Sequence, residues 1–245
     1  MAGPLHRPVE PAHVNAVRSP QGRHAFSGQY LCIGSLAAVV LVTAAAAATS
    51  YSPVIAAMMA AIAAAVGIGA AILVLRSWQL RCDVSSDSLT VRNPLRSISF
   101  RWEDISGVTV ESAGPLGPKS AGAIRCLSFG LPDGRVKAVA TNNLDLRLAP
   151  SIRLVTELHR HQVPVDWEAI SSMMLEIQRA IHLPDGTRIE IVKSGSSRRR
   201  WLVQRVEQNG PPLVLDGPAS LDAARMTAAS HVAIGLSRAQ VADAP

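Results

Sequence analysis

The chain has 245 residues, of which 48% are hydrophobic and only 4% aromatic, and its formal net charge at pH 7 is +6. The high apolar fraction excludes a disordered chain, and the 16 Pro and 17 Gly residues show no period, which excludes a collagen-like chain. Charged residues are unevenly placed, because none lies between Tyr30 and Leu75. This distribution indicates a membrane anchor joined to a soluble body.

The basic excess comes from 21 Arg and only 3 Lys residues, and +4 of the net charge of +6 is spread over residues 76–245. A positive chain suits an anionic membrane surface or nucleic acid, but this spread over the soluble body favours general surface solubility, and nucleic acid is not favoured as a partner. Cys32, Cys82 and Cys126 have neither the pairing of a disulfide framework nor the spacing of a zinc site. A reducing compartment fits them best.

The uncharged stretch predicts two membrane-spanning helices, at residues 30–48 and 54–75. At about 1.5 Å per residue, each is long enough for a hydrocarbon core about 30 Å thick. Thr49 to Pro53 between them supply polar, turn-forming and helix-stopping residues. The expected arrangement is a tight transmembrane hairpin.

Arginines lie before and after this hairpin in the sequence but not in the turn that connects its two helices. Arg7, Arg18 and Arg23 precede the first helix, Arg76 and Arg81 follow the second, and the connecting turn has none. Because retained cytoplasmic Lys and Arg set topology, we expect a multi-pass protein of the plasma (cytoplasmic) membrane with both termini in the cytoplasm.

Residues 1–29 contain four prolines and little apolar periodicity, which predicts a disordered cytoplasmic tail. In an alternative interpretation, residues 1–48 are a secretory signal with a cleavage site among the small residues Ala44 to Ala48. The long stretch before the apolar segment favours the tail.

Small residues recur every four positions in the second helix, at Ala63, Gly67 and Ala71. This small-xxx-small spacing lets two helices approach closely. We expect this face to pack against the first helix. The alternative is packing against another copy of the chain, which would give a homo-oligomer.

After the membrane segment, apolar and polar residues alternate with a period of two, which predicts short strands. Turn signals separate these strands at Ser85 to Ser88, at Asn93-Pro94 and at Asp133-Gly134, of which the last is a strong hairpin signal. From Pro150 to Leu158 the spacing becomes helical, with Ser151 as N-cap. Residues 76–162 are therefore expected to form an antiparallel meander closed by one helix.

Two motifs in this segment carry a resemblance to a known family. They are Thr-Val-Arg-Asn-Pro-Leu-Arg at residues 90–96 and Phe-Arg-Trp-Glu-Asp-Ile-Ser-Gly-Val at residues 100–108. Over about residues 30–162 the chain resembles bacterial pleckstrin-homology-like (PH-like) domain membrane proteins of the low-molecular-weight protein antigen type. The resemblance implies a bent antiparallel β-barrel with a C-terminal helix, no catalytic residues and no settled ligand.

The basic residues nearest the membrane are candidate contacts with the bilayer surface. Each cation near an anionic leaflet adds about 1 kcal/mol to the free energy of binding to the membrane. Trp78 at the membrane exit is expected to be an interfacial anchor, whereas Trp102 is expected in the core. The candidate contacts are Arg76, Trp78, Arg81, Arg92, Arg96 and Arg101.

No motif indicates catalysis. His159 and His161 have a metal-like spacing, but they lie near a helix end without an acidic or cysteine cluster, where a helix C-terminus explains them better. We expect no enzyme, no cofactor and no small-molecule substrate.

Residues 163–245 are expected to form a second, smaller unit after the linker Val163-Pro164. Helical spacing runs from Trp167 to Ile181, strands follow at residues 188–193 and 201–206, a third is expected at 213–215, and an Ala-rich helix begins after Ser220. The expected α-β-β-(β)-α module makes the whole chain an α+β protein.

The expected function is that of a non-catalytic integral membrane protein that presents a PH-like domain at the cytoplasmic face for a protein partner or a scaffold. The alternative is a peripheral binder of anionic lipid or nucleic acid that uses the surface arginines. The two differ in salt response, because phosphate-driven binding weakens steeply with ionic strength.

Overall fold

The fold is that of a computed structural model, which describes residues 16–18, 20–48, 52–114, 117–119, 123–194, 200–208 and 210–242. The strands are β1 (Ala16–Val17), β2 (Arg81–Val84), β3 (Ser88–Arg92), β4 (Ser97–Arg101), β5 (Gly107–Ala113), β6 (Ile124–Leu131), β7 (Gly134–Ala138), β8 (Ala180–His182), β9 (Arg188–Lys193), β10 (Trp201–Val206) and β11 (Leu213–Ala219). The helices are α1 (Pro20–Ala48), α2 (Pro53–Ser77), α3 (Ala149–Arg160), α4 (Trp167–Ile177) and α5 (Leu221–Ala242).

Helices α1 and α2 are the predicted pair of apolar helices. By length and composition, Ser27–Ala47 and Pro53–Ser77 could each cross a membrane. Only 11% of the most apolar window of α1 and 6% of that of α2 is buried, unlike the core helix of a soluble protein. Pro53 occupies the first turn of α2, where its missing N–H costs no helix bond. Thr49 to Tyr51 of the predicted turn lie outside the described residues.

The N-terminal segment differs from the predicted disordered tail. Residues 1–15 and 19 lie outside the described part, but Ala16–Val17 form strand β1, and α1 begins at Pro20 rather than at residue 30. β1 pairs antiparallel with β2, so that Val17 lies opposite Cys82 and becomes buried. A contact with a strand 65 residues further along the chain leaves no local periodicity, which is why the prediction was wrong for residues 16–18 and 20–29.

The predicted antiparallel meander is confirmed as two sheets. One has the order β1-β2-β3-β4, and the other has the order β5-β6-β7. Their inward residues form a core that includes Leu89, Val91, Phe100, Leu127 and Phe129. The predicted closing helix is α3, which begins at Ala149 and buries Leu154, Val155 and Leu158 in that core.

The C-terminal segment has one strand more than the fullest predicted module. The helix expected to continue to Ile181 ends at Ile177, because Gln178 takes an extended backbone conformation. Ile181 instead lies in β8, where it pairs with Ile189 of β9. The resulting sheet has the order β11-β10-β9-β8, and α4 and α5 pack together, with α5 also contacting β9, β10 and β11.

Residues 163–245 share a core with the preceding sheets rather than forming a separate unit. Val165 makes a parallel bridge with Val108, whose N–H donates to the carbonyl of Pro164 at 2.8 Å. The N–H of Asp166 donates in turn to the carbonyl of Val108 at 2.9 Å. A single apolar cluster extends from Val17 to Leu236. The expected linker at Val163-Pro164 is therefore bonded to the edge of β5.

Candidate functional site

The strands alternate in direction, so one end of the two sheets lies at α1 and α2, and we call it the membrane end because these two helices could cross a membrane. β2 begins four residues after α2 ends, and Tyr30 of α1 packs against a cluster formed by Leu80, Cys126 and Val139. The turn at Asn93–Arg96 lies at this membrane end. The turn at Ser85–Ser88 lies at the far end, about 13 Å away along β2.

Five of the six predicted surface contacts meet at the membrane end. Trp78 follows α2 and is 62% exposed. The sixth, Arg101, is at the opposite end of β4, where its guanidinium pairs with Glu103 at 3.1 Å. The five residues that the structure brings to the membrane end are Arg76, Trp78, Arg81, Arg92 and Arg96.

A cavity of about 310 Å³ opens at this end beside the exit of α2. Two of its arginines share one counter-charge, because Asp83 Oδ2 lies 3.0 Å from Arg81 Nε and 3.2 Å from Arg92 Nε. Sequence reasoning missed Arg18, which β1 carries to the same place. The lining residues are Arg18, Trp78, Gln79, Leu80, Arg81 and Arg92.

The turn at Asn93–Arg96 is fixed to the body and presents an apolar tip. The Asn93 side-chain amide donates to the Lys137 carbonyl at 2.6 Å and accepts the N–H of Val139 at 3.3 Å. Leu95 is 70% exposed at the tip. Tyr30 and Leu95 line one cavity of about 320 Å³, so the turn lies beside the first residues of the α1 span.

Trp102 is a core residue, as predicted. Its side chain is 2% exposed, and its indole N–H donates to the carbonyl of Ser85 at 3.0 Å. The ring of His161 stacks on it with a centroid distance of 5.6 Å. His161 also contacts the Ser86 carbonyl, so this aromatic pair closes the far end of the barrel.

The small residues of α2 lie on two different faces. Ala63 is buried, Gly67 has no neighbour within 4 Å of where a Cβ would stand, and Ala71 is exposed. The contact with α1 instead joins Gly34 to Ala70. A spacing of four drifts around a helix of 3.6 residues per turn, so the predicted face leaves the interface before Ala71.

The described residues contain no group of three or more His, Cys, Asp or Glu side chains that could hold a metal ion. Burial raises the pKa of the Cys82 thiol, and it raises the pKa of Cys126 to about 12. Neither thiol is a thiolate nucleophile at neutral pH.

A groove that sequence reasoning did not identify lies between β4 and β7, with a volume of about 350 Å³. Each of these strands ends its sheet, so within the described residues neither has a strand on its outer side. Ile98, Phe100 and Val136 give the groove an apolar lining, and Arg96 and Asp133 lie at its two ends. No local pattern reveals it, because β4 and β7 are 33 residues apart in sequence.

The comparisons with known proteins agree with this arrangement of two antiparallel sheets and a closing helix. A family model described as Bacterial PH domain matches residues 79–156, which contain β2 to β7 and the first two thirds of α3. No curated protein and no solved structure matches the chain. The resemblance read from residues 90–96 and 100–108 is confirmed over this range, and residues 79–156 of the chain form a bacterial PH domain.

Proposed function

We propose that this chain is a non-catalytic integral membrane protein whose PH domain binds an extended segment of a partner protein in the groove between β4 and β7. The proposal is carried by the outer edges of β4 and β7, which face each other across an apolar-lined groove and have no neighbouring strand on that side within the described residues. An extended peptide adds to such an edge through main-chain hydrogen bonds and places alternate side chains in the groove.

The hydrogen-bonding direction of β4 supports this binding mode. The hairpin closes with the N–H of Asn93 donating to the Arg96 carbonyl at 2.9 Å. Along an antiparallel strand, the backbone N–H groups point alternately toward the partner strand and away from it. Because Arg96 is bonded to Asn93, the next N–H groups of β4 that point away from β3 are those of Ser97 and Ser99. The N–H of Arg101, two residues further, bonds the Asp104 carboxylate instead of β3, as the alternation requires.

The membrane part of the proposal has both termini in the cytoplasm. Arg18, Arg76 and Arg81 lie at the end of the hairpin next to the PH domain, while Ser52 and Pro53 at the other end carry no charge. The position of β1 supports retention of the N-terminal segment, because removal of residues 1–48 would strip the edge strand from β2 and expose Cys82.

Site-specific photocrosslinking in membranes tests the groove. A photoreactive phenylalanine analogue at Asp133, which lines the groove, should crosslink a discrete protein, whereas the same residue at the partly exposed Arg153 of α3 should not. Ser99→Pro removes the outward N–H of an edge strand, which tolerates proline. Ser99→Ala keeps that N–H and is the matched control.

We expect the crosslink from Asp133 to be lost in Ser99→Pro and retained in Ser99→Ala. Equal crosslinking in both variants, or equal crosslinking from Asp133 and Arg153, contradicts strand addition in the groove. The orientation is tested separately with C-terminal fusions. Green fluorescent protein should fluoresce and alkaline phosphatase should be inactive, and the reverse result places the PH domain outside the cytoplasm.

A further inference from the structure

Three arginines lie in a row across the membrane end of the first sheet. Arg81 of β2 is directly opposite Arg92 of β3. On the other side of β2, Val17 is opposite Cys82, and continuing this register by one residue places Arg18 beside Arg81. All three side chains line the cavity beside Trp78.

This row has more positive charge than the described residues around it neutralise. Like charges directly opposite each other on neighbouring strands destabilise a sheet. Asp83 is the one carboxylate that the described residues pair with the row, and a single oxygen of it contacts both Arg81 and Arg92. Three guanidinium groups and one carboxylate leave a formal charge of +2. The phosphodiester of one anionic phospholipid would supply one negative charge, and neighbouring anionic headgroups of the same leaflet would supply the other.

The cavity is also at the height of the lipid headgroups. Leu75 is the last apolar residue of the uncharged stretch, and Trp78 follows it by three residues with most of its ring exposed. Tryptophan favours the headgroup level of a bilayer. A volume of about 310 Å³ is at the lower end of the range of small-ligand pockets. A phosphate with its glycerol fits this range, and a whole lipid does not.

We propose that Arg18, Arg81, Arg92 and Trp78 form a site for the phosphate of an anionic phospholipid, whose acyl chains remain in the bilayer beside α2. Guanidinium groups bind phosphate oxygens in pairs, which gives geometric specificity beyond simple attraction to a charged leaflet. The site is separate from the β4–β7 groove: Arg96 lines the groove but not this cavity. Lipid occupancy would fix the orientation of the PH domain on the membrane.

Native mass spectrometry of the full chain in neutral detergent tests the site with two probes, phosphatidylglycerol and phosphatidylethanolamine. The pocket variant is Arg18→Gln with Arg92→Gln. The control variant is Arg76→Gln with Arg96→Gln, which removes the same charge from the same end of the molecule but leaves the cavity unchanged. Site binding predicts that the pocket variant loses at least about tenfold more affinity for phosphatidylglycerol than the control does.

Equal losses in the two variants would show diffuse electrostatic attraction and overturn the site, as would equal retention of the two lipids by the wild type. Thermal unfolding without lipid provides the folding control, because relief of like-charge repulsion should leave the pocket variant at least as stable as the control variant. If the pocket variant nevertheless unfolds, the single variant Arg92→Lys replaces it in the test. Arg92→Lys keeps the charge but should still bind phosphatidylglycerol about fivefold more weakly than the wild type. An unchanged affinity for phosphatidylglycerol overturns the proposal.

Inorganic phosphate separates the two sources of the ligand. In detergent with phosphatidylethanolamine alone, it should raise the unfolding temperature of the wild type less than phosphatidylglycerol does. An equal rise with inorganic phosphate would assign the cavity to a free anion and overturn the lipid assignment.

Discussion

Gly34 of α1 lies directly against Ala70 of α2, so closely that a Cβ atom added at Gly34 would overlap the Cβ of Ala70. We therefore predict that Gly34→Ala separates the two helices and lowers the stability of the hairpin by about 1–3 kcal/mol, the usual cost of overpacking a well-packed contact. Unfolding of the purified chain in detergent, followed by circular dichroism, measures the change.

Gly69 of α2 provides the matched control, because no atom lies within 4 Å of where its Cβ would stand. Gly69→Ala should be neutral or slightly stabilising, since alanine is the better helix former. Gly34→Ala combined with Ala70→Gly should recover part of the lost stability. A Gly34→Ala protein as stable as Gly69→Ala would show that α1 and α2 do not meet at this contact.

Leu95 is expected to enter the bilayer interface, because the turn that carries it lies beside Tyr30 at the start of the α1 span. In a Cys32→Ser background, an environment-sensitive fluorophore on Leu95→Cys should shift to the blue in liposomes. The same label on Asp133→Cys, at the opposite end of the barrel, should keep the emission expected in water. A spectrum at position 95 equal to that at position 133 would contradict a turn held at the membrane.

The two apolar helices, except for the start of α1, and the PH strands were predictable because their signals are local. The absence of charge from Tyr30 to Leu75 fixes α2 within two residues of its observed ends. The alternation around Leu89 and Val91 marks a strand whichever partner it pairs with. The two motifs at residues 90–96 and 100–108 add a turn and a strand boundary, and the family match at residues 79–156 confirms them.

The features that build the site are non-local, and the sequence alone does not reveal them. Ala16–Val17 are too short to show a period, so neither β1 nor the position of Arg18 beside Arg81 was predictable. Ile177 and Ile181 are four residues apart, which suits a helix, but Ile181 pairs with Ile189 in a sheet. In each case a partner distant in sequence, or across a turn, overrides the local pattern.

The indole N–H of Trp102 donates to the carbonyl of Ser85, and this bond holds the turn at the far end of the barrel. Trp102→Phe keeps a ring against His161 but leaves that carbonyl without its donor. We expect a loss of about 1–2 kcal/mol in the free energy of unfolding, measured by denaturant titration. Trp78→Phe is the control and should leave stability within about 0.5 kcal/mol, because the Trp78 ring is exposed. Equal effects of the two changes would show that the bond to Ser85 contributes nothing.

The Arg135 guanidinium, 2.6 Å from Glu111, and then the Lys137 ammonium hold the pKa of the Glu111 carboxyl below its usual value. A carboxyl with a lowered pKa in the folded state stabilises the fold above its ordinary pKa of 4.5, and this contribution disappears as the pH falls through the folded-state pKa. Glu111→Gln should therefore flatten the acid limb of stability plotted against pH. An unchanged acid limb in Glu111→Gln would contradict the role of this pair.

Trp167 of α4 packs edge-on against His159 of α3, with ring centroids 4.9 Å apart, and so joins the C-terminal segment to the PH domain. Because the two parts share one core, Trp167→Ala should destabilise both of them, by about 3–5 kcal/mol. Hydrogen exchange measures this separately for each part, and the amides of β5 and β6 should lose protection together with those of β9 and β10. Met226→Ala on the exposed face of α5 is the control and should change neither set. If Trp167→Ala reduced protection only after residue 163, the C-terminal segment would be an independent module and the PH domain would fold without it.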